Sequence, residues 1–227
     1  MPFIFSWHNT MLFNESKWIG DVLSSMDPLE LSPLVNLGSS TETFRTTIQP
    51  HIDQNILVPL RSRDVRLIHS DLSDGEGIDV SGSIYDADVM RRLLERQPRS
   101  VLCSNMFEHV TDRPALADSL TRMLPSGGIL IVTVPHSFPY HPDPIDSYFR
   151  PGPAEIHALL PKFDLVRGEI VECGTLMDRY RGSRSFMVSQ IVGSIVPYPP
   201  GKWLRSLHHW CWLFRTYKVA CVILRKR

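Results

Sequence analysis

Residues 100–135, SVLCSNMFEHVTDRPALADSLTRMLPSGGILIVTVP, decide the fold. Val101, Leu102 and Cys103 open a short apolar run of β character. Residues 129–134, ILIVTV, form a second run, almost continuously apolar and rich in β-branched side chains. Runs so apolar suit strands covered on both faces. Between them Ala115, Leu116, Leu120, Met123 and Leu124 recur at helical spacing, with Pro114 in the first turn and Thr111 or Asp112 available as the cap. Pro125 stops that helix, and Gly127 and Gly128 permit a tight return. Strand, crossover helix and strand make one βαβ unit, so the spacing predicts an open α/β sheet with helices on both faces. Ligands of such sheets bind beyond the carboxyl ends of the strands, here at residues 105–109 and 136–150.

Outward from this unit the pattern repeats. LVNL at 34–37 reads as the first strand, with Gly38 in its turn; 65–69 and 78–84 read as the second and third, and 165–173 and 217–224 as the last two. Asp86 is placed to cap a helix over Val89, Met90, Leu93 and Leu94. Ahead of the sheet, Trp18, Ile19, Val22, Leu23 and Met26 predict an amphipathic helix capped by Asn14 or Ser16 and ended by Pro28. Pro50 interrupts the place where a long first crossover helix would run. The expected organisation is a helical lead-in over 1–31 and one α/β domain over 32–227, with an insertion at about 174–214.

With 24 basic and 24 acidic residues, nothing global points to nucleic acid. The balance conceals an asymmetry: Lys202, Arg205, Arg215, Lys218, Arg225, Lys226 and Arg227 crowd the C-terminal stretch, which holds no acid. In the insertion, Trp203, Leu207, Trp210, Leu213 and Phe214 at helical spacing suit packing on the domain. Their mixture with Arg205, His208, His209 and Arg215 also suits peripheral contact with a membrane surface, or an acidic or sugar partner. Cys103, Cys173, Cys211 and Cys221 show no CxxC spacing and read as free thiols in a reducing compartment. No run approaches the roughly 20 apolar residues of a spanning helix, so a cytoplasmic protein is expected.

SNMFEHV, then a helix, then LPSGGILIVTVP resembles the later half of a class I S-adenosylmethionine-dependent methyltransferase domain, over roughly residues 32–175. The resemblance implies a Rossmann-like sheet of about seven strands, mostly parallel, with the last strand inserted antiparallel beside the fifth. It also implies S-adenosylmethionine as cofactor. By matching position, Leu37, Gly38, Ser39 and Ser40 would hold its amino-acid end, Asp71 the ribose, Ser83, Tyr85 and Asp86 the adenine side, and Asn105 and Met106 the wall beside the sulfonium. Where the family has a glycine-rich loop, this chain keeps only Gly38, followed by Ser39, Ser40 and Thr41.

The loop after the fifth strand, PHSFPYHPDPIDSYFRPGP, resembles a branch of these methyltransferases and carries His136, Tyr140, His141, Asp143, Asp146, Tyr148 and Arg150. Long rigid polar loops so placed shape acceptor pockets. His136, Tyr140, Asp143, Asp146, Tyr148 and Arg150 are therefore candidate substrate contacts, and His109 and His141 candidate bases for a hydroxyl acceptor. Glu108 and His109 also suit a purely structural role in the turn into the helix. The loop's His and Asp residues lack regular ligand spacing, and hydrogen bonding within a proline-rich loop accounts for them, so no metal is expected. Methyl transfer to oxygen or nitrogen of a small-molecule or sugar acceptor is the first reading; a non-catalytic methyltransferase-like partner or scaffold, which the missing glycines fit, is the second. A nicotinamide oxidoreductase would need G-x-G-x-x-G after the first strand, and residues 38–43, GSSTET, do not supply it.

Overall fold

The computed structural model describes residues 11–141, 145–178 and 212–227. Seven strands form a single sheet: β1 (Leu34–Leu37), β2 (Leu67–Asp71), β3 (Val80–Ser81), β4 (Ser100–Ser104), β5 (Ile129–Ser137), β6 (Phe163–Glu172) and β7 (Lys218–Lys226), in the order β3-β2-β1-β4-β5-β7-β6. β3, β2, β1, β4 and β5 run parallel, whereas β7 lies antiparallel between β5 and β6. This is the Rossmann-like arrangement with an antiparallel seventh strand.

The apolar runs explain the layering. Successive side chains of a strand point to opposite faces, so one continuous run feeds two cores. Leu130, Val132 and Val134 of β5 join Val35 and Leu37 of β1 on the face covered by α5 (Ala87–Leu94), α6 (Arg113–Met123) and α7 (Pro153–Ala158). Ile129 and Ile131 join Leu34 on the other face, beneath α1 (Phe13–Ser25) and the helical segment 44–61. β6 is the edge strand opposite β3, its outer residues mostly exposed and carrying Asp164, Arg167, Glu169 and Glu172, charges that discourage pairing with another chain.

Several boundaries differ from the sequence-based expectation, each for a local reason. β2 begins at Leu67 rather than Val65, because the Val65 amide still closes the preceding helix by donating to the Leu60 carbonyl. β3 is two residues long instead of spanning 78–84: Gly82, at φ +119°, turns the chain, and a Cβ there would meet Val89 Cγ2 at 2.7 Å. β5 runs on to Ser137 because β7 supplies a partner for its last residues. The outermost pair covers 163–172 and 218–226, shifted from the expected 165–173 and 217–224.

Asp112 caps α6, accepting from the Ala115 amide, and Asp86 caps α5. The cap of α1, however, is neither Asn14 nor Ser16. Glu15 accepts from the Leu12 amide, while Asn14 donates to the Glu172 carbonyl and Ser16 to the Phe13 carbonyl. The 44–61 segment breaks at Gln49, immediately before Pro50, into short α and π turns.

Cys103 and Cys221 are buried free thiols, and Cys173 is half-buried. Trp212 is buried and stacks on Tyr217. Cys211, Asp143, and the stretch containing Trp203, Leu207 and Trp210 lie outside the described residues, as does most of the expected insertion. Among the described residues no helix is long and apolar enough to cross a membrane.

Candidate active site

The chain leaves β1 through Gly38 at φ +68° and Ser40 at φ +55°, a backbone path that favours glycine at the first position. A Cβ on Gly38 would lie 3.1 Å from the Met106 methyl group, so the turn sits directly against the loop after β4. The Ser40 amide donates to Asp71 Oδ2 at 2.8 Å, and the Ser73 amide donates to Oδ1 at 3.1 Å. Thus Leu37, Gly38, Ser39, Ser40 and Asp71 are brought together at the ends of two adjacent parallel strands.

Sequence reasoning overlooked Arg45 here. Its buried guanidinium donates to the Ser39 carbonyl at 3.3 Å and the Gly77 carbonyl at 2.9 Å, and also to the Ser40 carbonyl. Behind it, His69 accepts from Asn36 through Nδ1, and burial with Arg45 nearby lowers its pKa to about 4.

Asn105, at φ +51°, follows β4 and shares with Gly38, Ser39 and Ser104 a small cavity closed by Met11, Phe44 and Ile52. Asn105 Nδ2 and Thr133 Oγ1 both donate to Glu15 Oε1, at 2.9 and 2.6 Å. Glu15 therefore clamps the leading helix onto the ends of β4 and β5. Burial raises its carboxyl pKa, opposed by bonds from Thr133, Leu12 and Asn105. Its position in an amphipathic pattern gave no hint of this, because the partners lie 90 and 118 residues away.

Ser83, Tyr85 and Asp86 do not gather with this group in the same way. Ser83 and Asp86 build the turn into α5, and Tyr85 and Asp86 line an open groove of about 510 Å³ between α5 and α6 with Met90, Arg91 and Arg122.

The second half of the edge is built on Glu108. A single 3-10 turn, Phe107–His109, buries Phe107 completely and carries Glu108 inward with it. The Glu108 carbonyl accepts from the amide and hydroxyl of Ser147, which fastens the long loop after β5 to this turn. Neither Glu108 carboxylate oxygen has a hydrogen-bond partner among the described residues, and burial pushes its pKa up to about 8. His109 Nδ1 lies 2.6 Å from the Ile145 carbonyl. A carbonyl only accepts, so in the neutral ring Nδ1 carries the proton and Nε2 the lone pair. That Nε2 is buried, without a hydrogen bond, 3.7 Å from Glu108 Oε1.

His141 packs edge-on against His109, ring centroids 5.2 Å apart. Its Nδ1 faces the Pro139 carbonyl at 3.1 Å and Asp146 Oδ2 at 3.2 Å, which likewise leaves Nε2 as the lone pair. Burial lowers the His141 pKa.

Asp146 organises this loop. It accepts from the amides of His141 and Tyr148 and from both terminal nitrogens of Arg150. Burial pushes its carboxyl up, but Arg150 and the two amides outweigh that and hold it below the ordinary value. Asp146 and Arg150, expected as substrate contacts, thus satisfy each other inside the loop and position His141. His136 Nδ1 pairs with the Pro151 carbonyl at 2.9 Å, while Tyr140 and Tyr148 are exposed at the rim.

This fold has counterparts among solved structures. A candidate sarcosine dimethylglycine methyltransferase from Galdieria sulphuraria superposes with a TM-score of 0.57 at 13% identity, over 93% of this chain and 84% of that one. The chain has the class I methyltransferase fold. A coclaurine N-methyltransferase bound to N-methylheliamine and S-adenosylhomocysteine matches over 96% of this chain and 72% of its own, at 12% identity and a TM-score of 0.51. The [4+2]-cyclase SpnF matches over 92% and 80%, at 13% identity and 0.51. One methyltransferase fold therefore carries differently named activities, and the site must argue the function. No family model and no curated protein matches the sequence.

The methyltransferase fold implies S-adenosylmethionine, and the β1 edge tests the fit. The donor set suits it: a turn with two positive-φ residues, a carboxylate on the next strand, and an asparagine on the strand after that. The enclosed space is about 50 Å³, well below the roughly 300 Å³ or more of small-molecule pockets. That space is too small for a nucleoside as it stands, and Met11 and Phe44 line it.

Proposed function

We propose that this chain is an S-adenosylmethionine-dependent methyltransferase acting on an oxygen or nitrogen of a small-molecule or sugar acceptor in the cytoplasm. The observation that carries the reading is the Gly38–Ser40 turn locked to Asp71 at the ends of two adjacent parallel strands. S-adenosylmethionine supplies an already activated methyl group, so the protein's task is to hold and orient in a water-poor pocket.

The backbone of Leu37, Gly38, Ser39 and Ser40 holds the amino-acid end, Asp71 the ribose diol, and Asn105 with Met106 walls the sulfonium side. From the turn into α5, set apart from that group, Ser83, Tyr85 and Asp86 are the candidates for the adenine side. The acceptor lies under the loop after β5, bordered by His136, Tyr140 and Tyr148. Asp146 and Arg150 keep that loop rigid. His109 and His141, each with Nδ1 engaged, present Nε2 to take the acceptor proton.

The 50 Å³ cavity favours a second reading, a non-catalytic methyltransferase-like partner. Calorimetric titration with S-adenosylmethionine and S-adenosylhomocysteine, backed by thermal shift, separates the two. Micromolar binding with a raised unfolding temperature is expected. No binding of either compound by folded protein would replace the enzyme reading with the second.

A further inference from the structure

Two chain segments 32 residues apart bring three metal-competent groups together: one ligand atom each from Glu108, His109 and His141, all within 4.8 Å of one another. We propose that Glu108, His109 and His141 form a binding site for a zinc-class divalent cation, with at least one coordination position left for water or a donor atom of the acceptor.

Two independent observations point there. First, Glu108 is completely buried, and among the described residues neither of its carboxylate oxygens nor the buried Nε2 of His109 has a hydrogen-bond partner. An unpartnered buried polar group is destabilising, so three such atoms in one place call for a ligand.

Second, the two histidines are held as metal ligands are held. Each directs its Nδ1–H onto a fixed acceptor, the Ile145 carbonyl for His109 and the Pro139 carbonyl with Asp146 for His141. Such outer contacts fix the tautomer and ring orientation and raise the basicity of Nε2. The resulting Asp146–His141 arrangement is the carboxylate–histidine part of a carboxylate–histidine–metal triad.

The donor set selects the ion. Two imidazoles and one carboxylate suit zinc and neighbouring first-row dications, whereas magnesium and calcium prefer oxygen ligands throughout. His₂Glu with an open position is a catalytic rather than a closed structural set. Bound tetrahedral donors stand roughly 3.3 Å apart at metal–ligand distances of about 2.0–2.2 Å, so binding draws the three side chains inward. On the methyltransferase reading, on which this role rests, the ion would take over proton handling from the imidazoles by lowering the pKa of an acceptor hydroxyl bound to it.

The test uses tag-free, chelator-treated full-length protein and Zn²⁺ alone, with Mg²⁺ as comparator, by calorimetry and thermal shift. One equivalent of Zn²⁺ is expected, with weaker Mg²⁺ binding and a raised unfolding temperature. Glu108→Gln and His141→Asn, each checked for native circular dichroism, should lower Zn²⁺ affinity at least tenfold. His109→Gln provides a further variant should either fail to fold. Co²⁺ bound to the wild type should show the visible bands of a low-coordinate site, lost in His141→Asn.

No stoichiometric Zn²⁺ binding by folded wild type, or wild-type affinity in the folded variants, overturns the proposal. S-adenosylmethionine titrated into the same preparation keeps the two readings apart. Cofactor binding without Zn²⁺ binding removes the metal site alone, and Zn²⁺ binding without cofactor binding removes the methyltransferase reading alone.

Discussion

The two halves of the sheet's functional edge treat their charged groups in opposite ways. At the ends of β1 and β2, Arg45 donates to loop carbonyls and Asp71 accepts loop amides, so both charges are satisfied by nearby backbone. At the ends of β4 and β5, Asp146 and Arg150 satisfy each other deep in a rigid loop, while Glu108 and His109 Nε2 are left without hydrogen bonds. The first half spends its polar groups on its own turns. The second keeps buried polar atoms that have no partner among the described residues.

The largest effect expected from testing this contrast is at Asp146. Asp146→Ala leaves the buried Arg150 guanidinium with only the Phe138, Pro139 and Phe149 carbonyls in place of its carboxylate, and frees two amides, at a cost of about 3–5 kcal/mol. Denaturant titration at unchanged m-value would read it. A loss below about 1 kcal/mol would show that the loop owes its form to its prolines instead.

Gly38→Val sharpens the other side. The new side chain combines strain at φ +68° with contact on Met106, for about 1–3 kcal/mol of stability. The protein should stay folded by circular dichroism and lose at least a hundredfold in affinity for S-adenosylmethionine. Unchanged affinity would place the cofactor elsewhere.

The smallest effect is a pH dependence. His69 has a folded pKa of about 4 against an ordinary value of 6.5, so between these pH values the unfolded chain binds the proton more readily. Its contribution is present above pH 6.5 and is lost as the pH falls through 4, on the order of 1–2 kcal/mol for this partly buried ring. His69→Asn, which retains an acceptor for Asn36, should flatten that slope of stability against pH. An identical slope in the variant would assign the acid sensitivity to other groups.

The sequence by itself determined the layered sheet and the order of its elements. Continuous apolar runs at 100–104 and 129–134, a helical repeat between them and proline or glycine at the junctions are local signals, and each acts within a few residues. It also placed Gly38, Asp71, Asn105 and the polar loop after β5 at the carboxyl ends of strands, because the direction of parallel strands fixes which loops share an edge.

Only the tertiary structure decided what those residues do. Asp146 and Arg150 read as acceptor contacts and became the scaffold for His141. Glu15 read as one polar residue in a leading helix and became the clamp on Asn105 and Thr133. Glu108 and His109 have no ligand spacing relative to His141, yet the turn after β4 and the loop after β5 meet there. Strand and helix periodicities follow from covalent geometry over a few residues. Whether a buried polar atom finds a partner depends on segments distant in the chain, and that is settled only when the sheet closes the edge around them.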